Sequence, residues 1–318
     1  MQKNIIITGA SGLVATELTC LLSVEKKYKI YAVSTHPEAL RMRYDNELDI
    51  VCLSLNDLCE YTENTEIQFD AVVHCAFARS NDGKLIGSSL QFLNHLLQLT
   101  RKLRPGVFVN ISSQSVYGQS NPPLWTEETT PAPNYLYALG KYASEILTSA
   151  TLCDTDIKYT NIRLSSVCEN ARFMNVFAKN ALTGQTINVL GGTQRCSFID
   201  VRDVSIALKS VIDKSSSIEL KEAYNLGTGT TRTILELAEA TKRIAESEYG
   251  MSVEINVSPS DLHQEVGMDI SLFCSTFDWS PRYGYDDMVR SLLALNDEKN
   301  MGGGRIPVSF IIVYNEKE

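Results

Sequence analysis

The chain has 318 residues, 44% of them hydrophobic, and 29 Lys and Arg against 38 Asp and Glu give it a net charge of −9. That balance argues against broad contact with nucleic acid or anionic membrane, while leaving room for a small anionic substrate held by one or two local arginines. No apolar run reaches the ~18 residues of a membrane span. The length predicts about two domains, or one large α/β domain with an appendage.

Met1-Gln2-Lys3 runs directly into Asn4-Ile5-Ile6-Ile7 without a signal-peptide pattern, so the expected setting is the cytoplasm. Ile5–Ile7 is the first of six short apolar runs. It is followed by Gly-Ala-Ser-Gly and a helical pattern from Leu13 to Leu22. The other runs are Ile30–Val33, Ile50–Leu53, Ala71–His74, Val107–Ile111 and Tyr159–Ile162. Continuous runs of this length fit strands buried on both faces, as in parallel sheets. Alternation with helices predicts a Rossmann-type, doubly wound α/β fold with a smaller C-terminal lobe. The helix expected from Leu85 to Leu103 carries leucines nearly all round (85, 90, 93, 96, 97, 99), which predicts a second buried face against another subunit. A homodimer through this helix and the one over Tyr137–Ala150 is therefore expected.

Beyond Arg163 the pattern is less regular. Val189–Gly192 and Tyr224–Gly227 read as strands ending in turns, and Ser197–Asp200 leads into a helix over Val204–Ile212. Thr233 followed by Glu236 reads as a capping box opening a helix to about Glu246. The expected division is a dinucleotide-binding domain over 1–165, to which 196–231 return, and a substrate lobe over 166–195 and 232–297. Residues 298–318 form a tail, with Gly302–Gly304 as a hinge and Val308–Tyr314 strand-like. The eight cysteines (20, 52, 59, 75, 153, 168, 196, 274) form no C-x-x-C pair, and the four histidines have no metal-ligand spacing. Reduced thiols and no metal site are expected.

Two segments carry chemistry. Thr8-Gly9-Ala10-Ser11-Gly12-Leu13-Val14-Ala15 lies between the first strand and a helix, where glycines let the backbone approach a pyrophosphate and the helix N-terminus offers free N–H groups. An acid at the end of the second strand would bind the adenosine ribose of NAD. Ser34 stands there, followed by Thr35 and His36 with Arg41 and Arg43 nearby, so NAD and NADP both remain open. The second segment is Asn-Ile-Ser-Ser-Gln-Ser-Val-Tyr-Gly (110–118), followed by Tyr137-Ala-Leu-Gly-Lys141. Tyr137 and Lys141 share one helix face. Lys141 is expected to lower the phenol's pKa and to hold the cofactor ribose, while Ser113 bonds the reacting oxygen. Tyr137 would then exchange a proton at that oxygen as the nicotinamide exchanges a hydride at carbon.

In this order the motifs resemble an extended short-chain dehydrogenase/reductase of the NAD-dependent epimerase/dehydratase family. The matching pieces are TGASGLVA from Thr8, VVHCAF from Val72, SSQSVYG from Ser112, YALGK from Tyr137, RCSFIDVRDV from Arg195, YNLGTG from Tyr224 and, in part, Asp278-Trp279-Ser280-Pro281. The resemblance implies an enzyme acting on a nucleotide-activated sugar, with Ser113, Tyr137 and Lys141 catalytic. Gly9, Ser11, Gly12, Leu13 and Val14 would hold the pyrophosphate, Ser54 and Leu55 would flank the adenine, and Cys75, Ala76 and Phe77 would line the cofactor. It further implies substrate contacts from Ser115 and Ser166, an Arg195 bond to the substrate diphosphate, and a loop-ordering role for Asp203. The chain departs from the family at Ser89 and Ser166, where asparagine is usual, at Cys168-Glu169-Asn170 in place of Tyr-Gly-Pro, and near His263, where a second phosphate-binding arginine is expected. Family dehydratases carry Asp-Glu after the catalytic hydroxyl residue. Gln114 and Ser115 occupy those places and neither titrates usefully, so 4,6-dehydration is not expected. The expected reaction is epimerisation through a transient keto intermediate. The alternatives are an NAD(P)H-dependent nucleotide-sugar ketoreductase and a non-catalytic dinucleotide-binding sensor.

Overall fold

The structure is a computed structural model and describes residues 2–44 and 49–300, except the side chains of 298–300. In chain order the strands are β1 (Lys3–Thr8), β2 (Tyr28–Val33), β3 (Ile50–Leu53), β4 (Ala71–His74), β5 (Val107–Ile111), β6 (Lys158–Leu164), β7 (Ser166–Val167), β8 (Ile187–Leu190), β9 (Arg195–Cys196), β10 (Phe198–Ile199), β11 (Ala223–Leu226), β12 (Arg232–Thr233) and β13 (Ile255–Ser258). The helices are α1 (Leu13–Ser23), α2 (Pro37–Arg43), α3 (Leu55–Glu63), α4 (Gly83–Leu103), α5 (Leu136–Leu152), α6 (Arg172–Leu182), α7 (Val201–Lys214), α8 (Ile234–Tyr249), α9 (Ser271–Phe277) and α10 (Tyr285–Asn300).

All six apolar runs became strands of one seven-stranded sheet in the order β11-β6-β5-β4-β1-β2-β3. Every pairing in it is parallel. Successive strand residues point to opposite faces. Ile5 and Ile7 therefore join Leu18, Leu22, Val204 and Leu208 on one side, while Ile6 joins Leu58, Leu93 and Leu97 on the other. Both faces being covered explains why these strands read as unbroken apolar runs instead of alternating ones. β1 has β2 on one side and β4 on the other. The strand order reverses there, and the crevice at the carboxyl ends of β1 and β4 is where this architecture places ligands.

A separate hydrophobic cluster joins α6, α8 and α10 to the parallel pair β8–β13 through Met174, Phe177, Val189, Leu237, Ile244 and Met288. The capping box of α8 is present: the Glu236 backbone N–H donates to Thr233 Oγ1 at 3.1 Å, and the Thr233 N–H to Glu236 Oε2 at 2.7 Å. Asp203 orders a loop, accepting the N–H groups of Arg282 and Tyr283 at 3.0 Å.

The second face of α4 is largely covered from within the chain. Leu93, Leu96, Leu97 and Leu99 are buried within the chain itself. The helix packs on the sheet and also on α5, with Ile86 so close to Gly140 that a Cβ there would lie 2.7 Å from its Cγ2. The leucines thus need no second subunit to leave water, and of the six only Leu85 is well exposed. The strand-like segment expected over Val308–Tyr314 lies outside the described residues. Among the described residues no helix is long and apolar enough to cross a membrane.

Candidate active site

The loop after β1 is shaped by close contact. Gly9 has φ +68°, and a Cβ there would stand 2.7 Å from the backbone N of Ala76, just past β4. A side chain at this position would force the first strand's loop away from the fourth. Gly12 then precedes α1, which begins with no side-chain cap and no acidic residue in its first turn. The opening N–H groups of a helix have no intrahelical acceptor. Here they face a cleft of about 600 Å³ that Gly12, Leu13, Val14 and Ala15 line. This is a site for a negatively charged group.

The same cleft receives the expected catalytic residues. Ser113 follows β5, and Tyr137 and Lys141 come from the first two turns of α5. The Lys141 Nζ donates to the Ile111 carbonyl at 2.7 Å and lies 4.3 Å from the centre of the Phe77 ring. Burial lowers its pKa from 10.5 to about 8, against the opposing pull of Cys75 and Glu145. The backbone N–H of Tyr137 bonds Asn81 Oδ1 at 3.0 Å, and its ring stacks with Tyr135 and meets Phe77 edge-on.

The electrostatics of Tyr137 differ from expectation. Burial pushes its phenol above the usual value, and the cation that opposes this is Arg79, aided by a bond to Ser113. Lys141 stands 6.0 Å from the Tyr137 ring and is turned toward a backbone carbonyl. Arg79 comes from the loop after β4, donates to the Asn170 carbonyl at 2.8 Å, and has no ion-pair partner among the described residues. It lines both the main cleft and an adjoining cavity of about 510 Å³, whose walls include Arg172, Phe173, Phe177 and Phe198.

Beneath the cleft, Glu145 sits one turn past Lys141. It accepts from Ser112 Oγ at 2.5 Å and from Arg163 Nη2 at 2.9 Å. Arg163 Nη1 reaches the Tyr117 hydroxyl at 3.0 Å, which in turn donates to Asn225 Oδ1 at 2.6 Å. The Glu145–Arg163 pair is buried. This chain of bonds pins α5 to β5, β6 and β11, so the tyrosine and lysine are held by packing and not by loops.

Other expected residues fall around this centre. Cys75 and Phe77 line the cleft beside Ser115 and Ser166. Ser166 Oγ accepts from Gln114 Nε2 at 3.3 Å, while Gln114 Oε1 and Ser115 Oγ are buried with no partner among the described residues. Ser54 caps α3 in a box with Asp57, and Leu55 begins that helix. Ser34 is buried at the end of β2 and Thr35 beside it is exposed. Ser89 bonds both the Leu85 carbonyl and the Ala78 N–H, tying α4 to the Arg79 loop. Arg195 is the exception: it is exposed, bonds Thr231 Oγ1 at 3.1 Å and does not line either cavity. Its strand β9 pairs antiparallel with β12. Sequence reasoning missed Arg79, Asn81, Tyr135 and Gln264, all exposed and without periodicity. An arginine in the loop following the switch-point strand was the one available signal.

The model of the NAD dependent epimerase/dehydratase family matches residues 5–227. Among curated proteins, a dTDP-glucose 4,6-dehydratase of Streptomyces niveus is 27% identical over 249 residues, covering 73% of this chain and 71% of the relative. Among solved structures, the UDP-glucuronic acid 4-epimerase from Bacillus cereus in complex with NAD superposes with a TM-score of 0.77 at 19% identity, covering 93% of this chain and 96% of that one. The UDP-glucose 4-epimerase from Bifidobacterium longum in complex with NAD+ and UDP gives 0.71 at 21% identity, covering 95% and 100%.

Proposed function

From the premise that the chain belongs to the NAD-dependent epimerase/dehydratase family, we propose that it is a nucleotide-sugar epimerase working through a transient ketone. One observation carries this reading. Among the described residues that line the cleft, none is Asp or Glu. Its ionisable side chains are Tyr137, Tyr135, Lys141, Arg79 and Cys75. Exchange between alcohol and ketone needs one proton acceptor at the sugar oxygen. Dehydration needs further acid/base groups at neighbouring atoms, and Gln114 and Ser115 occupy the places that would supply them.

The uncapped start of α1 and the Gly9–Ala76 contact fit a dinucleotide pyrophosphate. A bound nicotinamide dinucleotide would accept and return a hydride at the sugar carbon. Tyr137 would take the hydroxyl proton as the bond to hydrogen breaks and give it back on the other face. Ser113 would hold the same oxygen, and Arg79 would stabilise the phenolate. Lys141, fixed on the Ile111 carbonyl, would present its remaining donors to the cofactor ribose. The adjoining cavity, with Arg79 and Arg172 on its wall and apolar rings from Phe173 and Phe198, would take the nucleotide end of the substrate, so that the α6–α8–α10 cluster selects it. Eight unpaired thiols agree with a cytoplasmic setting. The exposed Leu85, Leu139 and Ile146 on α4 and α5 support a homodimer through these helices.

The test is to incubate purified protein with UDP-, dTDP- and ADP-linked sugars and to weigh the products. The reading expects an isomer of unchanged mass, formed without net consumption of dinucleotide and absent in Tyr137→Phe. A product lighter by one water would refute it. A gain of two hydrogens with stoichiometric oxidation of added cofactor would replace it with the reductase reading.

A further inference from the structure

The adenosine end of the expected cofactor site shows a preference that the family's NAD-dependent name does not. An acidic residue at the end of the second strand binds the ribose 2′-hydroxyl of NAD and repels the 2′-phosphate of NADP, whereas an arginine there accommodates that phosphate. In this chain β2 ends at Val33, and Ser34, Thr35 and His36 follow. The Ser34 Oγ accepts the His36 N–H at 3.2 Å, which leaves its own proton free to donate, and Thr35 and His36 are exposed.

A cation is fastened to the glycine loop, whose Ala10 N–H bonds the carbonyl of Val33 at the end of β2 at 3.1 Å. The C-terminal end of α2 folds back on the glycine loop. The Tyr44 hydroxyl donates to the Ala10 carbonyl at 3.2 Å, and Arg43 Nη1 donates to the Ser11 carbonyl at 3.1 Å and to Thr16 Oγ1 at 2.9 Å. One nitrogen thus holds the Arg43 guanidinium on the loop, while its Nε and Nη2 have no acceptor among the described residues. Nor does any described carboxylate pair with it. Arg41, two residues earlier, is different: it is paired with Glu38 and bonded to the Cys52 carbonyl at 3.1 Å. Ser34, Thr35 and His36 at the end of β2 therefore offer hydroxyls and no carboxylate, and Arg43 presents two guanidinium nitrogens that no described group accepts from.

We infer that this chain prefers NADP(H) over NAD(H), with Arg43, Ser34 and Thr35 receiving the 2′-phosphate. Arg43 presents a fixed fork to a phosphate, a pairing in which arginine forms charge-assisted bonds of good geometry. The inference rests on the reading that the cleft holds a nicotinamide dinucleotide, but it is independent of which sugar is turned over.

Calorimetric titration of the full chain with NADP+ and NAD+ tests it directly. The expected result is NADP+ binding tighter by roughly ten- to a hundred-fold, the range for one to two charge-assisted bonds. Arg43→Ala should lower NADP+ affinity by a much larger factor than NAD+ affinity and so remove most of that difference, whereas a loosened glycine loop would weaken both dinucleotides alike. Arg41→Ala, whose charge is already met by Glu38, should keep the preference. Equal or tighter binding of NAD+ by the unmodified chain overturns the inference and leaves the reading of the cleft standing. A preference that survives Arg43→Ala overturns the assignment to Arg43. Binding of neither dinucleotide overturns both.

Discussion

Replacing Lys141 by methionine separates the charge in the cleft from the stability of the fold. The native environment holds this ammonium at a pKa of about 8 against an ordinary 10.5, chiefly by burial, a difference equivalent to about 3 kcal/mol. The sign follows from proton linkage. Below pH 8 both folded and unfolded chains carry the proton, so the penalty on the folded state is complete and constant. Between pH 8 and 10.5 the unfolded chain still binds a proton that native Lys141 has released, so wild-type stability gains relative to a variant without the group. Methionine fills a similar volume and carries no charge, but it leaves the Ile111 carbonyl without its 2.7 Å donor, a loss of roughly 1–3 kcal/mol. That loss does not depend on pH. The stability of Lys141→Met minus that of wild type should therefore be flat up to pH 8 and then fall by about 2–3 kcal/mol toward pH 10.5. Urea denaturation of both proteins without cofactor, at intervals from pH 7 to 10.5, reads this out. Parallel curves, or a difference that moves the other way, would refute the claim that a buried, destabilising charge is retained at this position.

Three further outcomes follow from the same geometry. Arg79→Gln removes the cation that opposes the upward shift of Tyr137, so the rise of kcat/KM with pH should move to higher pH and turnover at pH 7 should fall by up to about ten-fold per unit moved; an unmoved or lowered profile would assign Arg79 to the substrate alone. Gly9→Ala combines a φ of +68° with a 2.7 Å approach to Ala76 N. It should cost of order 1–3 kcal/mol in thermal unfolding and abolish dinucleotide binding, and a variant with wild-type affinity would show that the loop can shift freely. Glu145→Gln strips the buried Arg163 of its counter-charge, a change worth about 3–5 kcal/mol in chemical denaturation; a loss under about 1 kcal/mol would mean that the bonds Arg163 Nη1 donates to the Tyr117 hydroxyl and, at 3.2 Å, to the Glu127 backbone carbonyl suffice.

The sheet was legible because both its faces are covered. Unbroken runs such as Ile5–Ile7 and Val107–Ile111 have few other uses, and the Thr233–Glu236 box announces α8 in four residues. The proposed catalytic set could be named from the sequence because Tyr137 and Lys141 share a helix and Ser113 lies two residues past a strand. What the sequence did not convey depends on contacts between distant segments. The leucines of α4 read as an unpartnered face because nothing in the local pattern shows that Ile86 packs against Gly140 of α5. Arg195 was legible only through its motif; it is exposed, bonds Thr231 Oγ1 and lies outside the lining of both cavities, so its assignment to a substrate diphosphate rests on the resemblance alone. Tyr137 was expected to feel Lys141 one turn away. Burial and the Ile111 carbonyl turned that ammonium aside, and Arg79, 58 positions earlier in the chain, supplies the influence instead.

The central claim is that this cleft exchanges alcohol for ketone, with no carboxylate among the described lining residues to take a proton from carbon. It is tested most directly by running the reaction in deuterium oxide and examining the sugar by NMR. A hydride removed from one face and returned to the other never meets solvent, so the account predicts an epimerised product with no carbon-bound deuterium. Deuterium on any ring carbon or on the terminal carbon would require a general base at that atom and would contradict it.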